Sequence, residues 1–223
     1  MDQNEIQLQL NMLKSEDSSV RFAAVNNLAK INDKSLAKHF LELLKDESSA
    51  TRQVASQWIV KFADKDIIGD LALLLKENDY AIKITVIRIL ETIGDKSISK
   101  NLVLMLQDEN PGVRNTASDA IVKLSDESII SDIASLLNSD SSETALSALG
   151  TLVKINNDSV INEILPLLKS SNKVIRYSAA RALGKMGDKR VVQDILALEN
   201  DDDETVRERV QEAIAELQKR KII

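Results

Sequence analysis

The chain has 223 residues, 43% apolar and 29% charged, with a formal net charge of −6. That mixture supplies a core and a wet surface, as in an ordered protein, and the acidic balance argues against a dedicated nucleic-acid binder, which needs clustered Lys and Arg to neutralise phosphates. There is no cysteine, which excludes disulfides, thiolate nucleophiles and zinc–thiolate sites.

The first residues, Met1-Asp-Gln-Asn-Glu-Ile-Gln, carry neither a basic start nor an apolar run and do not read as a signal peptide. No stretch reaches the roughly 18 uninterrupted apolar residues of a membrane span. A cytoplasmic protein with no membrane partner is the expectation.

Residues 1–14 predict a first helix with Ile6, Leu8, Leu10, Met12 and Leu13 as its apolar positions. Glu5 stands where Leu36 and Ile67 stand later, and Gln9 where Phe40 and Leu71 stand. A terminal repeat lacks a neighbour on one side, so this polar helix reads as a cap. The organising stretch lies further on, at Asp108-Glu-Asn-Pro-Gly-Val-Arg114-Asn-Thr-Ala117, with Ile121 following. Stepping from Arg114 by 31 residues gives Arg21, Arg52, Lys83, Arg114, Ala145, Arg176 and Arg207. Three positions on stand Ala24, Ala55, Val86, Ala117, Ala148, Ala179 and Val210; seven positions on stand Leu28, Ile59, Leu90, Ile121, Leu152, Leu183 and Ile214. Repetition without insertions is the signature of a solenoid. The predicted fold is therefore all-α, a right-handed α-solenoid of seven 31-residue helix-turn-helix repeats forming one array over residues 1–223.

Residues 33–63 show the grammar of one repeat. Asp33-Lys-Ser35 is a turn with a candidate N-cap; Leu36, Phe40, Leu43 and Leu44 recur at helical spacing. Lys45-Asp-Glu-Ser-Ser49 then breaks the pattern and caps a second helix expected to bury Val54, Ala55, Ile59 and Phe62. The closing column Asn32, Ala63, Gly94, Ser125, Asn156 and Gly187 reads as C-caps, because Gly and Asn tolerate the left-handed conformation that ends many helices. The next column, Asp33, Asp64, Asp95, Asp126, Asn157 and Asp188, supplies a turn residue. Pro111 falls at the start of a second helix, where a missing N–H costs nothing; Pro166 falls inside a first helix and predicts a kink. Residues 203–221 form a charged C-terminal cap helix.

The Asp…Val-Arg…Ala…Leu pattern on paired helices resembles the HEAT-like repeats of phycobilisome-lyase relatives, over essentially the whole chain. The resemblance implies that the Asp before each second helix and the Arg inside it form a hydrogen-bonded ladder along the stack. Asp46 with Arg52, Asp108 with Arg114 and Asp201 with Arg207 carry both partners, and Glu77 with Lys83 is a weaker version. On that pairing Ser15 and Ser170 leave Arg21 and Arg176 without an acid, while Ser139 and Ala145 interrupt the ladder in the fifth repeat, where looser stacking or a hinge is expected.

The resemblance also implies that the second helices line the concave side. Positions one, five and nine after the anchor share one helix face. The first column is Phe22, Gln53, Ile84, Asn115, Leu146, Tyr177 and Glu208; the second includes Asn26, Gln57, Arg88, Asp119, Gly150, Arg181 and Glu212. These columns vary in type where the core columns do not. Phe22, Ile84, Leu146 and Tyr177 are large apolar side chains on a face expected to be wet, which points to a partner. Single surface hydrophobes are also ordinary, or pack on Lys and Arg stems. The candidate protein-binding residues are Phe22, Gln53, Gln57, Ile84, Arg88, Asn115, Asp119, Leu146, Tyr177 and Arg181.

Other features have plainer explanations. The third column is Lys30, Lys61, Thr92, Lys123, Lys154, Lys185 and Glu216; its lysines lie in the last turn of each helix, where a cation complements the macrodipole, and an acidic column of Asp70, Asp132, Glu163 and Asp194 is expected to offset them in part. With six aromatics in the chain, base stacking has little to work with. His39 is the single histidine and sits on a surface helix position; no Ser–His–acid set can form around it, and the His-Glu pairs that deoxyhypusine hydroxylases use for metals have no counterpart. Trp58, in a column of mostly small residues, reads as packing. The expected function is a non-enzymatic scaffold that holds a partner protein or peptide, with no catalytic residue, metal or cofactor. A bilin-lyase-like or DNA-glycosylase-like enzyme is the alternative that the family resemblance allows.

Overall fold

The computed structural model describes residues 1–31, 33–156 and 158–223. Asn32 and Asn157, expected at a C-cap and a turn, lie outside them. Among the described residues there are fourteen α-helices and no strand, in two compact bodies, Met1–Ile98 and Ser99–Ile223. The first body holds α1 (Gln3–Met12), α2 (Ser18–Leu28), α3 (Ala37–Glu42), α4 (Ser49–Phe62), α5 (Lys65–Leu74) and α6 (Tyr80–Ile93). The second holds α7 (Ser99–Met105), α8 (Pro111–Leu124), α9 (Ile130–Ser135), α10 (Ser142–Ile155), α11 (Asp158–Ile164), α12 (Lys173–Met186), α13 (Val192–Ala197) and α14 (Glu204–Lys219). These are seven helix pairs of an all-α solenoid. The even-numbered helices are the longer members after the first pair.

Each even-numbered helix starts on a side-chain cap in one register. Asp17, Ser48, Asp79, Asn110, Ser141, Asn172 and Asp203 each accept an amide of the first turn, satisfying donors that have no partner inside the helix. Pro111 occupies the first position of α8, as its missing N–H suggests. At the other end Gly94, Ser125, Asn156 and Gly187 take the left-handed conformation. Ala63 departs from that expectation with φ −53° and ψ 129°, so the chain leaves α4 in an extended conformation. This avoids setting the alanine Cβ against the following carbonyl.

The odd-numbered helices hold a second departure. Most are short and tighten into 3₁₀ turns, at Leu43–Lys45, Leu136–Asn138, Leu165–Lys169 and Leu198–Asn200. Pro166 therefore does not kink a continuing helix. α11 stops at Ile164, and the tight turn begins at Leu165, two residues earlier than its counterparts, with Pro166 as its second residue. A ring without an N–H fits where the i→i−4 pattern is already being abandoned.

Burial follows the repeat. Ala24, Ala55, Val86, Ala117, Ala148, Ala179 and Val210 are all fully enclosed, and the Leu/Ile column from Leu28 to Ile214 is buried throughout. Small residues at the first column let helices approach, and the large ones fill the gap between layers. In α4, Ala55 and Ile59 are buried but Val54 and Phe62 are only half-buried. Trp58 takes the place expected of them: its ring stacks on Phe40 at 4.3 Å between centroids, and its indole N–H points at the Ile31 carbonyl at 3.5 Å. α1 buries no residue, which suits a terminal cap. α14 buries Val206, Val210, Ala213, Ile214 and Leu217 on one side and is charged on the other.

The arginine column is built differently from the within-repeat ladder. Nη1 of Arg21, Arg52, Arg114, Arg176 and Arg207 donates to the carbonyl oxygens six and five residues earlier, tying the inter-helix loop to the helix it precedes. The acid that pairs with Arg stands 25 residues ahead, in the next repeat. Arg21 reaches Asp46 at 2.7 Å and Glu47 at 2.8 Å, and Arg176 grips Asp201 through two contacts at 2.8 Å. Arg21 and Arg176, expected to lack an acid, are thus the ones that have it. Glu77 is taken by Lys45 rather than by Lys83 of its own repeat. Arg176 and its neighbouring amide at Asp203 hold the Asp201 carboxyl below the usual carboxylate range against the opposing effect of burial. For Asp46 burial is the strongest influence and pushes upward, but hydrogen bonds from Arg21 and the Ser48 amide outweigh it and the net shift is downward.

The fifth repeat does not loosen. Ala145 is 1% exposed and Leu152 fully buried. With Ser139 in place of the next acid, Arg114 turns its Nε to Ser147 Oγ at 3.2 Å, and the Thr151 hydroxyl donates to the Ser147 carbonyl at 2.7 Å and accepts from Ser118 at 2.9 Å.

Candidate functional site

On the exposed face of α10, α12 and α14 the repeat opens a cleft of about 620 Å³. Leu146, Leu149 and Val153 from α10 and Val174 from α12 give it an apolar floor; Tyr177 stands half-buried at one side. Helical spacing puts Tyr177, Arg181 and Lys185 on one stripe of α12, four residues apart. Gly150 contributes no side chain, and nothing lies within 4 Å of where its Cβ would be.

The charged groups around this cleft are of two kinds. Lys154 is engaged by Asp119 at 2.7 Å and touches Ser118 at 3.3 Å; Arg209 pairs with Glu212 at 3.0 Å. Among the described residues, Arg181 and Lys185 make neither an ion pair nor a hydrogen bond through their side chains. The carboxylate nearest in register, Glu216, is bonded by Arg220 at 2.9 Å. Two members of these columns pair otherwise than expected: Lys154 pairs backward to Asp119 of the preceding even-numbered helix, and Asp132 of the acidic column lies 3.9 Å from Lys100.

In the first body a shallower cleft of about 450 Å³ lies between α4 and α6. Gln53, Gln57 and Arg88 line it, with Val60 and Ile89 beneath. The ten sequence-predicted residues are therefore distributed unevenly. Leu146, Tyr177 and Arg181 share one cleft, and Gln53, Gln57 and Arg88 another. Phe22 is exposed and Ile84 half-buried, and neither lines a cleft, although Ile84 stands one turn before Arg88 on α6. Asn115 and Asp119 are exposed on α8, with Asp119 committed to Lys154.

The largest exposed apolar side chains were not in the predicted column. Leu8 on α1 is 58% exposed, and Leu73 on α5 and Leu104 on α7 are 60% and 57% exposed, against 37% for Leu146 and 38% for Phe22. Leu73 and Leu104 stand in one register of the odd-numbered helices, where the other repeats have Glu42, Ser135, Pro166 and Ala197. Comparing that column for outliers among polar or small residues would have found them. His39 is half-buried on α3. Among the described residues no group of three or more His, Cys, Asp or Glu side chains is placed to hold a metal, and no helix is long and apolar enough to cross a membrane.

The family model for HEAT repeats matches residues 69–149 and 130–215. No curated protein matches the chain. Among solved structures, the complex of CpcE and CpcF of phycocyanin lyase from Nostoc sp. PCC7120 is similar at 18% identity, covering 96% of this chain and 87% of that one, with a TM-score of 0.45. Human deoxyhypusine hydroxylase is similar at 15% identity over 97% of this chain and 96% of its own, with a TM-score of 0.46. An engineered protein is similar at 19% identity over 96% of this chain and 68% of its own, with a TM-score of 0.42.

Proposed function

From the premise that this chain belongs to the HEAT-repeat family, we propose that it is a non-enzymatic scaffold that holds a partner protein or peptide on the exposed face of its even-numbered helices. The observation that carries this reading is the cleft of α10, α12 and α14, where Leu146 and Tyr177 accompany an apolar lining and Arg181 and Lys185 form no direct ion pair. Apolar anchors ringed by polar groups are the usual anatomy of a protein-binding centre. The helices that present them are fixed by a closed core, so little ordering entropy is lost on association.

Affinity capture from the native extract tests the reading. The wild-type chain is compared with a Leu146→Ser, Tyr177→Ser variant, and bound material is identified by mass spectrometry and by absorbance. A defined protein retained by the wild type and lost by the variant, at equal helicity and melting temperature, supports the scaffold. A coloured ligand or nucleic acid in its place would move the enzymatic reading ahead.

A further inference from the structure

We infer that the occupant of the α10–α12–α14 cleft is an acidic amphipathic peptide segment, whose apolar side chains seat on Leu146, Leu149, Val153 and Val174 and whose carboxylates meet Arg181 and Lys185. This deepens the scaffold reading and rests on it. Charge complementarity carries the inference. The chain as a whole has a net charge of −6, yet the cleft is bordered by Lys154, Arg181, Lys185 and Arg209 against the single acid Glu212. The excess is not spread evenly. Lys154 and Arg209 are engaged directly within the protein, by Asp119 and Glu212, whereas Arg181 forms no ion pair and Lys185 has only the longer-range attraction of Glu216, so the charge open to a ligand is concentrated on one helix stripe.

Geometry then narrows the chemistry. Arg181 and Lys185 are one helical turn apart and line the same cleft as the apolar side chains, so a ligand that fills it presents apolar and anionic groups together. A segment with apolar residues on one face and Asp or Glu along its border does this. Arg181 offers a planar fork suited to a carboxylate, and Lys185 a point charge. A free phosphate would engage the two cations but leave the floor uncovered. A nucleic acid would meet Glu212 at the rim, and the single ring of Tyr177 offers little stacking.

The test selects random linear peptides displayed on phage against the intact protein, in parallel with an Arg181→Glu, Lys185→Glu variant and a Leu146→Ser, Val174→Ser variant. Circular dichroism first establishes that both variants keep the wild-type fold. The expected result is enrichment of sequences combining Leu or Phe with Asp and Glu. Their synthetic peptides should bind the charge-reversed variant at least about tenfold more weakly, and lose affinity as salt rises. Enrichment of basic or neutral peptides that need Leu146 and Val174 would overturn the acidic occupant and leave the scaffold reading standing. Enrichment of nothing that distinguishes wild type from either variant would overturn both. If the Leu146→Ser, Val174→Ser protein fails to fold, the charge-reversed variant decides alone, since both of its positions are exposed.

Discussion

Two helix interfaces of the second body, α8 with α10 and α12 with α14, solve one packing problem with different chemistry. Between α12 and the loop before α14, Arg176 holds Asp201 through two charged hydrogen bonds. Between α8 and α10 the equivalent acid is Ser139, and Arg114 makes one neutral contact to Ser147 instead. Both interfaces nevertheless bury their Ala and Leu/Ile columns completely. The ladder is therefore a reinforcement laid over a stack that apolar burial already closes. A second difference concerns approach. At α12–α14, Gly184 faces Ala213 so closely that a Cβ would lie 3.0 Å from the Ala213 backbone. One repeat earlier the same register holds Val153, half-buried in the cleft.

The largest effect should come from erasing that second difference. Gly184→Val installs the residue that α10 carries at the same register, but the neighbour is main chain and cannot turn aside. We expect destabilisation of about 3 kcal/mol, the upper part of the range for overpacking, read as a lower urea midpoint. An unchanged midpoint would show that α14 shifts freely and that the close approach is incidental.

Breaking the charged contact comes next. Asp201→Ala leaves Arg176, 15% exposed in its side chain, with only the carbonyls of its own loop; a loss of about 2 kcal/mol is expected for hydrogen bonds to a charged group. Ser147→Ala should cost less, since Arg114 loses a single neutral partner. The pH dependence has a definite sign. The Asp201 carboxyl is held low in the folded chain, so its contribution is fully present above the unfolded aspartate value and is lost as pH falls through the folded one. Asp201→Asn should flatten the acid limb of a stability–pH curve while changing little in slope near neutrality. Equal slopes in the acid limb for the two proteins would remove this pair from the account of acid unfolding.

The ladder can also be rebuilt where it is missing. The register of Asp46, Asp108 and Asp201 also contains Ser15, Ser139 and Ser170, and in each the side-chain oxygen accepts the amide two residues on. Asp at position 170 would keep that turn and add a carboxylate 25 residues ahead of position 145. Ala145→Arg alone forces a charge into a site that is now 1% exposed and should destabilise. Combined with Ser170→Asp it should recover about 1 kcal/mol in a double-mutant cycle. A coupling near zero would mean that the spacing of 25 is not sufficient to form the pair.

These cases show which physics the sequence exposes. Periodic burial is legible: the Ala and Leu/Ile columns, the cap at Pro111 and the packing role of Trp58 follow from side-chain size and helical spacing within one repeat. Interactions between repeats are not. Arg176 looks unpaired beside Ser170 because its acid belongs to the next repeat, and nothing in a single unit marks which loop a guanidinium will reach. The candidate site divides along the same line. Leu146, Tyr177 and Arg181 come together because α10 and α12 sit side by side with Gly150 bare between them. Phe22 and Ile84 share their register but not that arrangement. Asp119, an apparent site residue by column, is tied to Lys154 through a contact between adjacent even-numbered helices.

Gly150 gives the smallest effect and separates stability from binding most cleanly. It lies within α10, is exposed, and has open space where a Cβ would stand. Gly costs about 0.5–1 kcal/mol relative to Ala inside a helix because its backbone has more freedom to lose, so Gly150→Ala should raise stability by about that amount. The same methyl would project into the floor of the cleft beside Leu146. If the cleft seats an apolar side chain there, the variant should melt higher yet hold its peptide more weakly, two opposite changes from one carbon atom. Higher stability with unaltered peptide affinity would place the occupant elsewhere along α12, nearer Arg181 and Lys185 than Leu146.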